Sequence, residues 1–327
     1  MNVDRLHEAW QLSCFICHFL INKLLSKLNP EKKIVIITGC DSGFGYLTAK
    51  LCIKYGFTVF ATCLEPEGRG AQNLREEVLD RDKLVVIGAD VTKDEDIDKV
   101  YEFLQSYIRK NYELWALVNN AGVIRLSPIE WGSFQYQFQD IFDVNVFGVI
   151  KMTRKFLPEI RKSRGRVINV SSEASRITFP ILGSYCMSKH ALAAFSDGLR
   201  REMVTFGVKV VSIEPKFYKT NLLSMFEQSL KKCWEDTNNE IKTDYRKRNM
   251  NHIYEKFCTK IIPLLTRKNP EEVAEIILHC LTASLVDPMY KCSSLTLNSS
   301  SNLLTLIPLE FSDILINFML YLGTFYK

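Results

Sequence analysis

The sequence predicts one doubly wound α/β domain: a parallel sheet covered by helices on both faces, with a helical insertion and apolar extensions at both ends. Short β-branched runs alternate with stretches of helical apolar spacing from about residue 31 to 285, the rhythm of right-handed βαβ units. The first run closes on a Gly-rich turn that opens the next helix. With 327 residues, 47% of them hydrophobic, the chain can bury a large core, and no repeat or low-complexity linker divides it.

Residues 34–38 (IVIIT) read as the first buried strand, followed by a helix over 46–55. Residues 58–61 and 84–89 read as the next two strands, with helices over 71–79 and 94–110. The strand at 115–118 precedes a long helical stretch ending near Lys162, and the strand at 166–170 precedes a helix opening near Tyr185. Residues 208–213 form the sixth and last expected strand. A charge-rich helical insertion over 216–269 then leads to a final helix over 270–282. The organisation is thus an apolar segment at 1–30, the α/β domain at 31–285, and an apolar extension at 286–327.

Forty-two basic against 37 acidic residues leave a charge of +5, too small an excess to mark a nucleic-acid binder. The hydrophobic content excludes a disordered chain. Cys14 and Cys17 form a CxxC without a second pair, so no metal site is expected, and the remaining eight cysteines read as buried thiols. The apolar runs at 9–25 and 303–326 are both interrupted by polar residues, and neither makes the ~20 predominantly apolar residues of a clean membrane span.

The turn Thr38-Gly39-Cys40-Asp41-Ser42-Gly43-Phe44-Gly45 lies between strand and helix, where glycines let backbone N–H groups approach a pyrophosphate. Asp90-Val91 follows the third strand and Asn119-Asn120-Ala121-Gly122 the fourth. Asn145 lies in the next helical stretch, Ser172 ends the fifth strand, and residues 185–189 read YCMSK. In this order the chain resembles the short-chain dehydrogenase/reductase family, with its TGxxxGxG, NNAG and YxxxK motifs. The flanking segments resemble the branch that holds retinol and hydroxysteroid dehydrogenases and mitochondrial 3-hydroxybutyrate dehydrogenase.

The resemblance implies a Rossmann-type domain and a nicotinamide cofactor. Its expected contacts are Thr38, Gly39, Ser42, Gly43, Phe44, Gly45, Cys63, Asp90, Val91, Asn119, Ala121, Gly122, Tyr185, Lys189, Pro215 and Thr220. At the end of the second strand, Thr62-Cys63-Leu64 carries no charge, Glu65 follows, and the turn has no basic residue before Arg69. These residues favour NAD and leave NADP open.

Tyr185 and Lys189 are four apart and share one face of a helix. A tyrosine of pKa ~10 is a poor base at neutral pH, and a nearby ammonium together with an oxidised nicotinamide favours its phenolate. Tyr185 is therefore read as the base of alcohol oxidation and the acid of the reverse reaction. By the resemblance, Lys189 also holds the nicotinamide ribose. Ser172, thirteen residues before Tyr185, is expected to bond the reacting oxygen, with neighbouring Ser171 facing away. The resemblance gives Asn145 a water that passes the proton to solvent. Lys216 stands where the family has glycine, which puts a glycine-only backbone conformation in question.

Residues 173–184 and 216–268 supply apolar and aromatic walls, Phe179, Phe217, Tyr218 and Phe226 among them, suited to a lipophilic alcohol or ketone such as a retinoid or steroid. Two other readings stand beside it. One is a short hydroxy acid such as 3-hydroxybutyrate, met by Arg176, Lys216 or Lys219; the other is a nucleotide-binding scaffold without turnover. In the resembling branch such terminal runs attach enzymes to membranes. The expectation is membrane association, at the endoplasmic reticulum ahead of the mitochondrion, and a homo-oligomer as is common in the family.

Overall fold

The computed structural model describes residues 28–219 and 221–292, with a few helical positions between 311 and 318. The apolar run at 9–25, most of the run at 303–326, Cys14, Cys17 and Thr220 lie outside the described residues.

The β-branched runs form β1 (Lys33–Ile37), β2 (Thr58–Cys63), β3 (Leu84–Gly88), β4 (Glu113–Asn119), β5 (Arg166–Val170) and β6 (Lys209–Pro215), as the sequence predicts. With β7 (Met289–Cys292) they make one parallel sheet in the order β3-β2-β1-β4-β5-β6-β7. β7 was not expected from sequence. Its four residues, MYKC, include no β-branched side chain, and it forms because the outer edge of β6 offers it pairing from Ser212↔Met289 to Pro215↔Cys292. The sheet therefore runs past residue 285.

Strand side chains alternate between faces, and both faces are covered, so the strands are apolar throughout. Val35, Ile37, Val59, Ala61, Val118 and Ile168 pack under α1 (Gly43–Tyr55), α2 (Arg69–Glu77) and the last helix, Glu271–Thr282. Ile34, Ile36, Phe60, Leu117 and Val167 pack under α3 (Asp94–Ile108), α4 (Val149–Ser163) and α5 (Gly183–Met203). α4 is preceded by two wide π turns, Gln135–Gln139 and Asp143–Gly148. α1 starts three residues before the predicted helix because the glycine turn itself forms its first turn.

The insertion folds as α6 (Asn221–Asp236), α7 (Asn239–Lys247) and α8 (Met250–Lys256), continued by the π turn Phe257–Ile261 and the short helix Ile262–Leu265. A third apolar cluster seats it beside the site. Trp131 lies 4.5 Å from Trp234, 5.2 Å from Tyr245 and 5.7 Å from Tyr254, ring centre to ring centre, and Phe226, Leu230 and Ile253 pack with Tyr185 and Leu182. The strand order reverses between β1 and β4, and the crevice at their carboxyl ends is where such sheets bind ligands.

Candidate active site

Two loops meet at that crevice. The Thr38 hydroxyl accepts hydrogen bonds from the N–H groups of Asn120 and Ala121, both at 2.9 Å. Asn120 Nδ2 donates in return to the carbonyls of Thr38 (2.8 Å) and Gly39 (3.1 Å). Gly39 has φ +71, a left-handed conformation that favours glycine. At Gly45 a Cβ would stand 2.4 Å from the Gly39 oxygen and 2.5 Å from Asn120 Nδ2, so no side chain fits. These contacts hold the amino end of α1 open toward a cavity of about 510 Å³. Ser42 caps that helix with its hydroxyl making no capping bond, and the first turn carries no acid. This end of the helix suits an anionic ligand.

The cavity wall includes Gly39, Ser42, Gly43, Phe44, Asp90, Val91, Ala121, Gly122, Tyr185 and Lys189, all expected from sequence. Asp90 is fixed by accepting from the Thr92 N–H (2.9 Å) and hydroxyl (2.8 Å). Other expected contacts lie behind the wall. Thr38 and Gly45 work as the joint just described. Asn119 turns inward, donating to Thr153 Oγ1 (3.1 Å) and Asn169 Oδ1 (2.8 Å), and Asn120 takes its place on the cavity. Cys63 is fully buried, its thiol pushed up to about 12 by burial and then by the Asp41 charge, and Leu64 lines the cavity instead. Asp41, Thr92 and Asp143 also line it and were not singled out from sequence; Ser171, expected to face away, lines it as well.

A smaller cavity of about 70 Å³ adjoins the first. Phe44, Ser171 and Tyr185 line both. Its remaining wall is mostly aromatic and apolar (Ile124, Phe179, Phe217, Tyr218, Phe226), with Ser172, Pro215 and the ion pair Lys216–Glu173 at 3.6 Å. Lys216 is not among the positive-φ residues, so the lysine does not sit in a glycine-only conformation. Tyr218 holds this wall to the last helix: its phenol oxygen lies 3.1 Å from both Glu272 Oε2 and the Cys292 carbonyl, which share its one proton. Arg176 is bonded to buried Glu214 at 2.9 Å, and Lys216 is the lysine or arginine on the smaller cavity's wall.

Burial pushes the Tyr185 phenol up to about 12, and a hydrogen bond with Ser172 pulls the other way. Desolvation thus outweighs the Ser172 bond. Ser172 is placed by capping the turn Glu173–Ser175, its Oγ accepting from Ala174 N–H at 3.1 Å. Lys189 Nζ lies 5.7 Å from the Tyr185 ring centre and donates to the Val170 carbonyl at 3.0 Å. Burial lowers Lys189 to about 8. Asn145 is bonded at both polar atoms: Oδ1 accepts from Val123 N–H (2.8 Å), and Nδ2 donates to the Val123 carbonyl (2.9 Å) and Ser188 Oγ (3.0 Å), which leaves Oδ1 a second lone pair. Its side chain fixes the loop after β4 to α5.

The family profile for short chain dehydrogenases matches residues 33–231. Retinol dehydrogenase 7 of Rattus norvegicus is 43% identical over 230 residues, 69% of this chain and 70% of that protein. Retinol dehydrogenase 16 of Mus musculus is 39% identical over 283 residues, covering 84% and 83%. The 17-beta-hydroxysteroid dehydrogenase type 6 of Homo sapiens is 37% identical over 258 residues, covering 77% and 78%. A 3-ketoacyl-(acyl-carrier-protein) reductase from Brucella melitensis, crystallised with NADH, shares the fold at a TM-score of 0.63 and 24% identity, covering 81% of this chain and 98% of its own. The chain belongs to the short-chain dehydrogenase family. It is an NAD(P)-dependent oxidoreductase acting on CH–OH groups.

At pH 7 the fold holds a charged Lys189 where burial disfavours the charge, at a cost on the order of 3 kcal/mol for a pKa lowered from 10.5 to about 8. The folded state gives up this proton more readily than the unfolded chain. The cost is therefore complete below pH 8 and is relieved as pH rises through 10.5. Lys189→Met is expected to lose turnover while melting no lower than wild type at pH 7, with the stability gap narrowing as pH climbs from 8 to 10.5. A variant with a lower Tm across that whole range would contradict this account.

Proposed function

We propose that the protein transfers hydride between NAD, in preference to NADP, and a lipophilic alcohol or carbonyl of retinoid or hydroxysteroid type, with Tyr185 as general acid/base. The observation that carries this reading is that Tyr185, bonded to Ser172, stands on the wall shared by the large polar cavity and the aromatic one. The nicotinamide nucleotide, when bound, supplies the hydride acceptor or donor. Tyr185 takes the hydroxyl proton in oxidation and returns it in reduction. Ser172 bonds the reacting oxygen, and the Lys189 ammonium stabilises the phenolate and holds the ribose. Asn145 acts at one remove, by keeping the loop after β4 and helix α5 in register. The names of the relatives, two retinol dehydrogenases and a hydroxysteroid dehydrogenase, support the substrate class.

The aromatic cavity, at about 70 Å³, is well below the ~300 Å³ at which drug-sized ligand pockets begin, so a retinoid or steroid must part its walls to enter. The small volume, with Lys216 on its wall, also favours a second reading: a short hydroxy acid whose carboxylate meets that ammonium. A substrate panel run with NAD and NADP separates the two. Turnover of retinol or a hydroxysteroid, faster with NAD, is the expected result. Turnover confined to 3-hydroxybutyrate-like acids would overturn the lipophilic reading, and binding without turnover of any alcohol would favour a scaffold.

We further propose attachment to a membrane through residues 1–30, at the endoplasmic reticulum ahead of the mitochondrion, and assembly as a homo-oligomer. The support for attachment is the apolar run at 9–25, outside the catalytic core. Among the described residues no helix is long and apolar enough to cross a membrane. Full-length protein is expected to pellet with membranes through salt and carbonate washes and to be released when residues 1–30 are removed. Full-length protein that stays in the supernatant would contradict attachment.

A further inference from the structure

We propose that Asp41, in the glycine turn, is the residue that selects NAD over NADP, an inference that rests on the cofactor reading above. Nucleotide-binding sheets of this kind place an acidic residue at the end of β2 to bond the adenosine ribose. This chain has none in position there. Cys63 is buried, Leu64 is apolar and 66% exposed, and the Glu65 carboxylate folds back so closely that a Cβ on Gly68 would lie 2.9 Å from it.

Asp41 reaches the same place from the opposite side of the crevice. Its Oδ2 accepts from the Leu64 N–H at 2.9 Å, its Oδ1 from the Glu65 N–H at 3.0 Å, and it lines the large cavity beside Leu64. Each oxygen keeps a second lone pair for a ribose hydroxyl. A 2′-phosphate meets two obstacles at once. It confronts the carboxylate charge, and the two backbone N–H groups that could donate to it are already taken. Lys189 is the one lysine or arginine on the described wall, and it sits beside Val170, away from this turn; Arg75 is bonded to the Pro66 carbonyl at 2.8 Å.

The test is equilibrium binding of NAD and of NADP to full-length wild type, Asp41→Asn and Asp41→Ser, read without any turnover. Wild type is expected to bind NAD more tightly. Both variants should improve the NADP-to-NAD affinity ratio by about tenfold or more, with NAD weakened as the carboxylate's bonds to the ribose are lost and NADP weakened less or strengthened, since a like charge within contact range is worth at least one decade. In wild type the discrimination should also shrink between about 0.05 and 0.5 M salt, a readout that needs no variant to fold. Parallel weakening of both nucleotides would make Asp41 a loop clamp only and overturn the assignment, as would wild type that binds NADP as tightly as NAD. Wild type that binds neither nucleotide would overturn the cofactor reading itself.

Discussion

The contact between the glycine turn and the loop after β4 is the constraint on which the site depends. Thr38 accepts from two consecutive N–H groups of that loop, Asn120 returns two bonds to the turn, and Gly45 leaves no room between them for so much as a methyl group. The parallel sheet brings these loops together because β1 and β4 are neighbours although the chain passes through β2 and β3 between them. From that joint follow the open end of α1, the course of residues 120–123, and the seat of Asn145, which bonds both polar groups of Val123. The polar residues behind the wall keep the cavity in shape, while those on it are left available to a ligand.

Tyr185 sits where polarity changes. On one side of Tyr185 the cavity is lined by turn backbone, Asp41, Asp90 and Lys189; on the other it is lined by phenylalanines and Ile124. Burial works against the charged forms of both Tyr185 and Lys189, holding the phenol up to about 12 and the ammonium down to about 8. Stability is given up at Lys189 to keep a charge buried beside Tyr185.

Most of the architecture was legible because the strands are buried on both faces and so read as continuous β-branched runs. β7 escaped because an edge strand of four residues is made by its neighbour and not by its own propensity. Among candidate site residues, motif order picked out Tyr185, Lys189, Ser172 and about half of the large cavity's wall, but motif membership does not say which way a side chain points. Asn119 and Asn120 show this: they are adjacent at a strand end, and the alternation sends Asn119 into the core and leaves Asn120 to the ligand side. Cys63 and Leu64 exchange roles for the same reason. Asp41 was visible inside the glycine motif, yet its reach to Leu64 and Glu65 depends on β1 and β2 lying side by side, which only the folded chain shows. Lys216 looked like a loss in sequence because glycine is usual there; the backbone it adopts is open to any residue.

The central claim, that Tyr185 moves the proton while hydride is transferred, is tested most directly by Tyr185→Phe, which keeps the ring and its packing and removes only the hydroxyl. The nucleotide should bind the variant with nearly wild-type affinity, while single-turnover formation of reduced nicotinamide from the alcohol falls by at least about a hundredfold. Reduced nicotinamide forming at close to the wild-type rate would contradict the account and assign the proton to another group.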